Sequence, residues 1–253
     1  MKALALGLLL FVATPANAQS VTALYGPTKT ERLTEFQQRL RSVQAVEALA
    51  MALSSGIRLS TPIRLETAEC GNVNAFYVPG KRTITLCLEL MAHVFDGIAR
   101  ERARSSTSEN IARSASGAVT FVLLHELGHA LIHALNLPIL GREEDAADQI
   151  SAFLILGFRP HDAMSGLDGA FWFLRAKSLF YTQRHFADEH SLDPQRKANL
   201  ACWAYGKDPS LFQYVLTTRQ LTLERSRRCE REYQQLASGV RRLLGDHLND
   251  LLK

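Results

Sequence analysis

From Val119 to Ile132 the chain carries no proline and a single charged residue, Glu126, and that residue lies inside His125-Glu126-Leu127-Gly128-His129. Val122-Leu123-Leu124 precedes the motif and Ala130-Leu131-Ile132 follows it. On a helix, residues four apart share a face about 6 Å apart along the axis. His125 and His129 can therefore reach one ion. Two imidazoles and a carboxylate in so apolar a helix are costly to bury without partners, and a metal ion supplies one. The pattern H-E-x-x-H has a mechanism behind it: two histidines hold Zn²⁺, and Glu126, one step round the helix, takes a proton from the attacking water as a general base.

Two histidines alone make a weak site, because catalytic zinc usually takes three protein ligands. A third histidine at the spacing of the metzincins is excluded, since positions 132 and 135 are Ile132 and Leu135. Asn136-Leu137-Pro138 ends the first helix, and the acidic run Glu143-Glu144-Asp145 suits the first turn of a second. Ala147, Ile150, Phe153 and Leu154 give that second helix a buried face. Glu144 and Asp148, four apart, share a face. Glu144 is the expected third ligand, and Asp148 is expected to accept a hydrogen bond from the far nitrogen of a ligand histidine. Glu143 or Asp145 takes the ligand place if the helix is rotated by one residue; otherwise both point sideways, toward Arg142 or water. His133, one turn beyond His129, reads as a helix-end histidine, since a fourth protein ligand would close the position catalysis needs.

H-E-L-G-H followed by E-x-x-A-D, Glu144 to Asp148, resembles the gluzincin branch of zinc metallopeptidases. The wider chain resembles a bacterial metallopeptidase family with a DUF4344 domain. The matching stretches are Glu69-Cys70-Gly71 with Asn74 to Tyr77, Thr83 to Cys87, the H-E-L-G-H segment, Gly141 to Asp148, and Glu189 to Asp193 with Gln195-Arg196. The resemblance implies a peptidase-type site with Glu144 as third ligand and Asp148 behind it. It also implies a zincin-like fold in which a sheet edge beside the active-site helix receives substrate as an added strand.

Met1 to Ala18 reads as a secretory signal peptide: Lys2, an apolar stretch from Ala3 to Val12, and Ala16-Asn17-Ala18 as cleavage site. Cleavage after Ala18 leaves residues 19–253 as one domain, periplasmic or secreted. No later run of about 18 uninterrupted apolar residues follows, so no membrane span is expected. In an oxidising compartment the four cysteines, Cys70, Cys87, Cys202 and Cys229, point to disulfides, with the local pairing Cys70–Cys87 and Cys202–Cys229 preferred. The formal charge of +4 is mild. Arg225, Arg227, Arg228, Arg231, Arg241 and Arg242 read as a solvated helix face; without interleaved aromatics no nucleic-acid partner is expected.

Helical periodicity runs from Glu31 to Ser54, with Gly56 as cap. Ile63–Glu69, Ala75–Val78 and Thr83–Cys87 read as strands, the last two joined through Pro79-Gly80-Lys81. Leu88–Arg104 reads as a helix, Ser105–Asn110 as a polar loop, and 170–180, 194–205 and much of 223–252 as further helices. Asp193-Pro194 starts one of these, placing His190 in the loop before it and Arg196 one turn inside. His190 or Arg196 can stabilise the oxyanion of a tetrahedral intermediate, or the segment can simply brace the fold.

The expected class is therefore α+β: a mainly helical, zincin-like domain with a small sheet or hairpin beside the active-site helix. The expected activity is endopeptidase-type hydrolysis of a polypeptide, with one Zn²⁺ on His125, His129 and Glu144, Glu126 as base and then acid, and His190 in a catalytic role. The alternatives are a zinc-stabilised binding or chaperone-like protein with little turnover, and hydrolysis of a non-peptide amide.

Overall fold

The computed structural model describes residues 19–175 and 181–249. The expected signal segment and the second half of the helix expected over 170–180 lie outside the described residues, as do positions 250–252 of the last expected helix.

Four short strands, β1 (Val21–Tyr25), β2 (Ile63–Ala68), β3 (Ala75–Val78) and β4 (Thr83–Cys87), form one sheet in the order β1-β2-β4-β3. β1, β2 and β4 run parallel, and β3 returns antiparallel to β4 as an edge strand. Every residue of β4 is buried, as suits an inner strand covered on both faces. β1 was not expected. Val21-Thr22-Ala23-Leu24-Tyr25 is short, and its ladder comes from a distant segment, Val21 pairing with Ile63.

The periodic stretch after β1 is two helices rather than one: α1 (Glu31–Ser42) and α2 (Ala45–Gly56). Gln44 between them is left-handed at φ 51°, and Val43 beside it is exposed. The bend lets α2 cover β1 while α1 lies against the next helix, α3 (Leu88–Arg102). Gly56 closes α2 as its last residue, and Ile57 beyond it is extended.

The core helix is α4 (Ser108–Ala134), which starts earlier than the polar composition of 105–110 suggests. Thr107 caps it, its hydroxyl accepting from the Asn110 amide at 3.3 Å. α3, β3, β4, α5 (Glu143–Gly157) and α6 (Pro160–Phe173) surround α4. α4 is long and apolar enough to cross a membrane, and 83% of its most apolar window is buried inside this fold. α6 begins ten residues before the helix expected from 170, with Pro160 in its first turn. Its glycines argue against a helix by propensity, yet they are what the packing needs: a Cβ at Gly169 would lie 2.0 Å from the Ala118 backbone nitrogen.

The C-terminal half adds α7 (Gln183–Phe186), α8 (Asp193–Lys207), α9 (Tyr214–Thr217), α10 (Leu223–Ser226) and α11 (Cys229–Leu244). The expected helix over 223–252 is thus broken after Ser226, where the disulfide Cys202–Cys229 seats the start of α11 on α8. The other disulfide, Cys70–Cys87, ties the loop before β3 to the end of β4. Both expected pairs are present.

Candidate metal centre

His125 and His129 lie one turn apart in the middle of α4, and their rings meet edge to face with centroids 4.9 Å apart. Their Nε2 atoms point at each other at 3.3 Å. Glu144 enters from the first turn of α5, with Oε2 at 3.0 Å from His125 Nε2 and Oε1 at 3.4 Å from His129 Nε2. Gly128 makes this approach possible. A Cβ there would stand 2.8 Å from the Ala147 Cα, so only glycine lets α5 lie this close to α4.

Each imidazole is oriented from behind by a carboxylate. His125 Nδ1 faces Asp148 Oδ1 at 2.9 Å, and His129 Nδ1 faces Glu143 Oε1 at 2.8 Å. Glu143 therefore meets a histidine as well as water, its side chain half-exposed at the rim of the cleft. Asp145 lies to the other side and accepts from the Ser191 hydroxyl at 2.7 Å. Asp148 is itself gripped by Arg196, whose Nε and Nη2 donate to its two oxygens at 2.7 and 2.8 Å. This buried fork occupies Arg196 and holds it behind His125, away from the role of a free oxyanion donor.

His190 reaches the same carboxylate from the loop before α8. Its Nε2 is 2.9 Å from Glu144 Oε2, and its ring stacks on His125 with centroids 6.1 Å apart. Asp188 Oδ1 takes both the His190 backbone amide, at 2.9 Å, and Nδ1, at 3.1 Å. Glu126 lies buried on α4 beside the histidines. His133 sits apart from the cluster, sharing a 3.0 Å hydrogen bond with the Tyr77 hydroxyl on β3. Sequence reasoning passed over Tyr77, and the available signal was weak: an aromatic on a strand that tertiary structure alone places opposite His133. Asp188 was also missed, although an acid two residues before a histidine is a usable hint.

The electrostatics follow from five carboxylates, Glu126, Glu143, Glu144, Asp148 and Asp188, packed round three imidazoles. Burial works against charge on His125, and its hydrogen bonds to Asp148 and Glu144 outweigh that, leaving its pKa raised. Burial likewise opposes protonation of His129, but Glu144 and Glu143 carry it up to about 9. Glu144 is held far below the usual carboxylate range: burial pushes it up, and the three histidines pull it down much further. Glu126 moves the other way, raised chiefly by burial. The cluster as a whole draws positive charge.

These side chains line a cleft of about 900 Å³, within the range of ligand sites. One wall is apolar, with Phe76 and Tyr77 from β3, Phe121 and Val122 from α4, and Phe173 from α6. The lining also takes in the segment from Phe186 to His190. A paired-histidine helix and a converging glutamate beneath an open cleft define a candidate metal centre. The chain belongs to the DUF4344 family, described as "Putative metallopeptidase", whose model matches residues 25–244. No curated protein and no solved structure matched the chain.

Proposed function

We propose that this protein is a zinc-dependent endopeptidase-type hydrolase, exported to the periplasm or the medium, with residues 19–253 as its one domain. The observation that carries the metal is the convergence of three electron-pair donors. Ligands bound at about 2.0–2.1 Å in a tetrahedron stand roughly 3.3–3.4 Å apart. The Nε2 atoms of His125 and His129 and the oxygens of Glu144 stand at 3.0, 3.3 and 3.4 Å. With each Nδ1 held by a carboxylate, a metal that displaced the Nε2 protons would meet two imidazole lone pairs and an acceptor-only carboxylate aimed at one point. Such a set fits a cation, and its N,N,O composition suits zinc.

Bound there, zinc supplies Lewis acidity to the scissile carbonyl and the attacking water. Glu126 takes the proton from that water and passes it to the leaving amine, a task its raised pKa suits. Asp188 fixes His190 through Nδ1, so that Nε2–H can donate to the carbonyl oxygen as charge develops. Arg196 keeps Asp148 ionised, and Asp148 keeps His125 in the tautomer that leaves Nε2 free. The apolar wall and the edge strand β3 accommodate an extended polypeptide. The signal-like segment at 1–18 and the two disulfides support export to an oxidising compartment.

Metal analysis of the purified protein, with digestion of an unbiased peptide library, tests the reading. We expect about one tightly held zinc, following the catalytic stoichiometry, and internal cleavage that Glu126→Gln abolishes while zinc and fold remain. Full zinc retention by a His125→Ala, His129→Ala double variant would overturn the site. A zinc-loaded protein that cleaves no polypeptide would overturn the activity.

A further inference from the structure

Two groups of three side chains bring donor atoms within 4.8 Å of one another at this centre: His125, His129 and Glu144, and Glu144, Glu189 and His190. They share only Glu144. Two atoms bound to one ion at about 2.0–2.1 Å stand no more than about 4.2 Å apart. His190 joins neither helix histidine in such a group among the described residues, so it does not complete the first ligand set. It belongs to a second position on the far side of Glu144.

That second position is built as the first is. His190 Nδ1 is held by a carboxylate, Asp188 at 3.1 Å, as His125 is held by Asp148 and His129 by Glu143. Its Nε2 is directed at Glu144 from 2.9 Å. A carboxylate behind Nδ1, leaving Nε2 to face a metal once its proton is displaced, is the usual setting of a metal-bound histidine. Glu189 adds an exposed carboxylate at the mouth of the cleft. Glu144 faces both sets: Oε1 turns to His129, and Oε2 lies between His125 of the first set and His190 of the second. Carboxylates placed between two such sets bridge paired ions in two-metal sites.

We propose that Glu144, Glu189 and His190 form a second divalent-cation site that takes Zn²⁺ more weakly than the first, and that filling it inhibits the enzyme. It is weaker because it offers one imidazole instead of two and lies at the open rim, where His190 is 40% exposed. It inhibits because a metal on Nε2 removes the N–H that His190 would donate to the substrate oxygen. The inhibition rests on the proposed hydrolase function, whereas the binding does not.

Equilibrium dialysis of the purified protein against a zinc series, read by metal analysis, decides the binding. We expect one tight and one weaker equivalent. Glu189→Gln and His190→Ala should each weaken the second by at least the roughly 10–100-fold that loss of a supporting carboxylate costs, and leave the first in place. With Co²⁺ in both positions, the shared Glu144 should couple the two spins and attenuate the EPR signal of the first equivalent. A single equivalent at every zinc level, a second equivalent indifferent to both substitutions, or two simply additive EPR signals would each overturn the site. For the inhibition, excess zinc should slow peptide cleavage by the parent protein, while Glu189→Gln keeps its basal rate and loses that sensitivity; equal inhibition of both would overturn that part. If no peptide is cleaved at any zinc level, the hydrolase reading fails, while dialysis and spin coupling still decide the second site.

Discussion

At Glu144 one carboxylate meets three imidazoles, and the roles of its neighbours follow from what each touches. Glu144 faces both helix histidines directly, whereas Glu143 and Asp148 act on them from behind through Nδ1. Asp145 instead accepts a hydrogen bond from Ser191. Zinc titrations of four variants should therefore fall in order. Glu144→Ala should lose the most affinity. Glu143→Ala and Asp148→Asn should each lose on the order of 10–100-fold, as removal of a histidine's supporting carboxylate does. Asp145→Ala should change affinity least. A largest loss at Glu143 or Asp145 would mean that α5 presents a different residue to the metal.

At the scale of elements, the centre depends on how closely α5 and α6 lie against α4. Gly128→Ala would set a methyl carbon 2.8 Å from the Ala147 Cα and 3.0 Å from its carbonyl oxygen, and both are backbone atoms that cannot swing away. The two helices must separate, and Glu144 moves with α5. We expect this variant to stay folded but to bind zinc at least ten times more weakly, a shift read by competition with a chelator. The α3–α4–α6 junction makes a separate prediction about pH. Arg102 donates to both oxygens of Asp168, at 2.7 and 3.0 Å, and the Ser114 hydroxyl donates to the same carboxylate. Burial pushes Asp168 up, but Arg102 and Ser114 outweigh it and hold its pKa below the ordinary value. A carboxyl depressed in the fold stabilises it above the unfolded pKa of about 3.9, and that contribution fades as pH falls through the folded value. Urea midpoints measured between about pH 6 and pH 2 should therefore fall less steeply for Asp168→Asn than for the parent.

At the scale of the whole molecule, the disulfides bind together segments distant in sequence, and a metal in the proposed site would do the same. Cys202–Cys229 closes a separation of 27 residues and Cys70–Cys87 one of 17, spans for which a cross-link contributes roughly 3 kcal/mol each. Replacing Cys202 and Cys229 by serine should lower stability by about that amount and leave zinc stoichiometry unchanged, because neither cysteine lines the cleft. Zinc in the proposed site would link α4 to α5. Held at a thousandfold excess over its dissociation constant, it adds about 4 kcal/mol, or roughly 8–16 °C in Tm for a chain of this size. Calorimetry before and after chelation should show that drop, and an unchanged Tm would place the metal outside the folded core.

What can be read along the chain is what depends on local spacing. His125, Glu126 and His129 lie on one helix because an apolar run without proline leaves no other cheap arrangement. Glu144 and Asp148 share a face because they are four apart. The cysteines pair with their nearest partners in sequence, and β3 and β4 announce themselves through the turn between them. Contacts between distant segments were not legible. β1 is a strand only because β2 offers it a ladder, and the bend at Gln44 exists only because α2 must turn to cover β1. α6 forms despite its glycines because α4 leaves no room for a Cβ there. The same holds at the centre. Helix spacing placed Glu143 to one side of α5, and only the lie of α5 on α4 sets it behind His129. No pattern in the sequence tells that Arg196 grips Asp148 or that His190 and Glu189 come to the far side of Glu144. Local geometry follows from the covalent chain and its hydrogen-bonding period, whereas these juxtapositions come from packing, which is settled only when all the elements have found their neighbours.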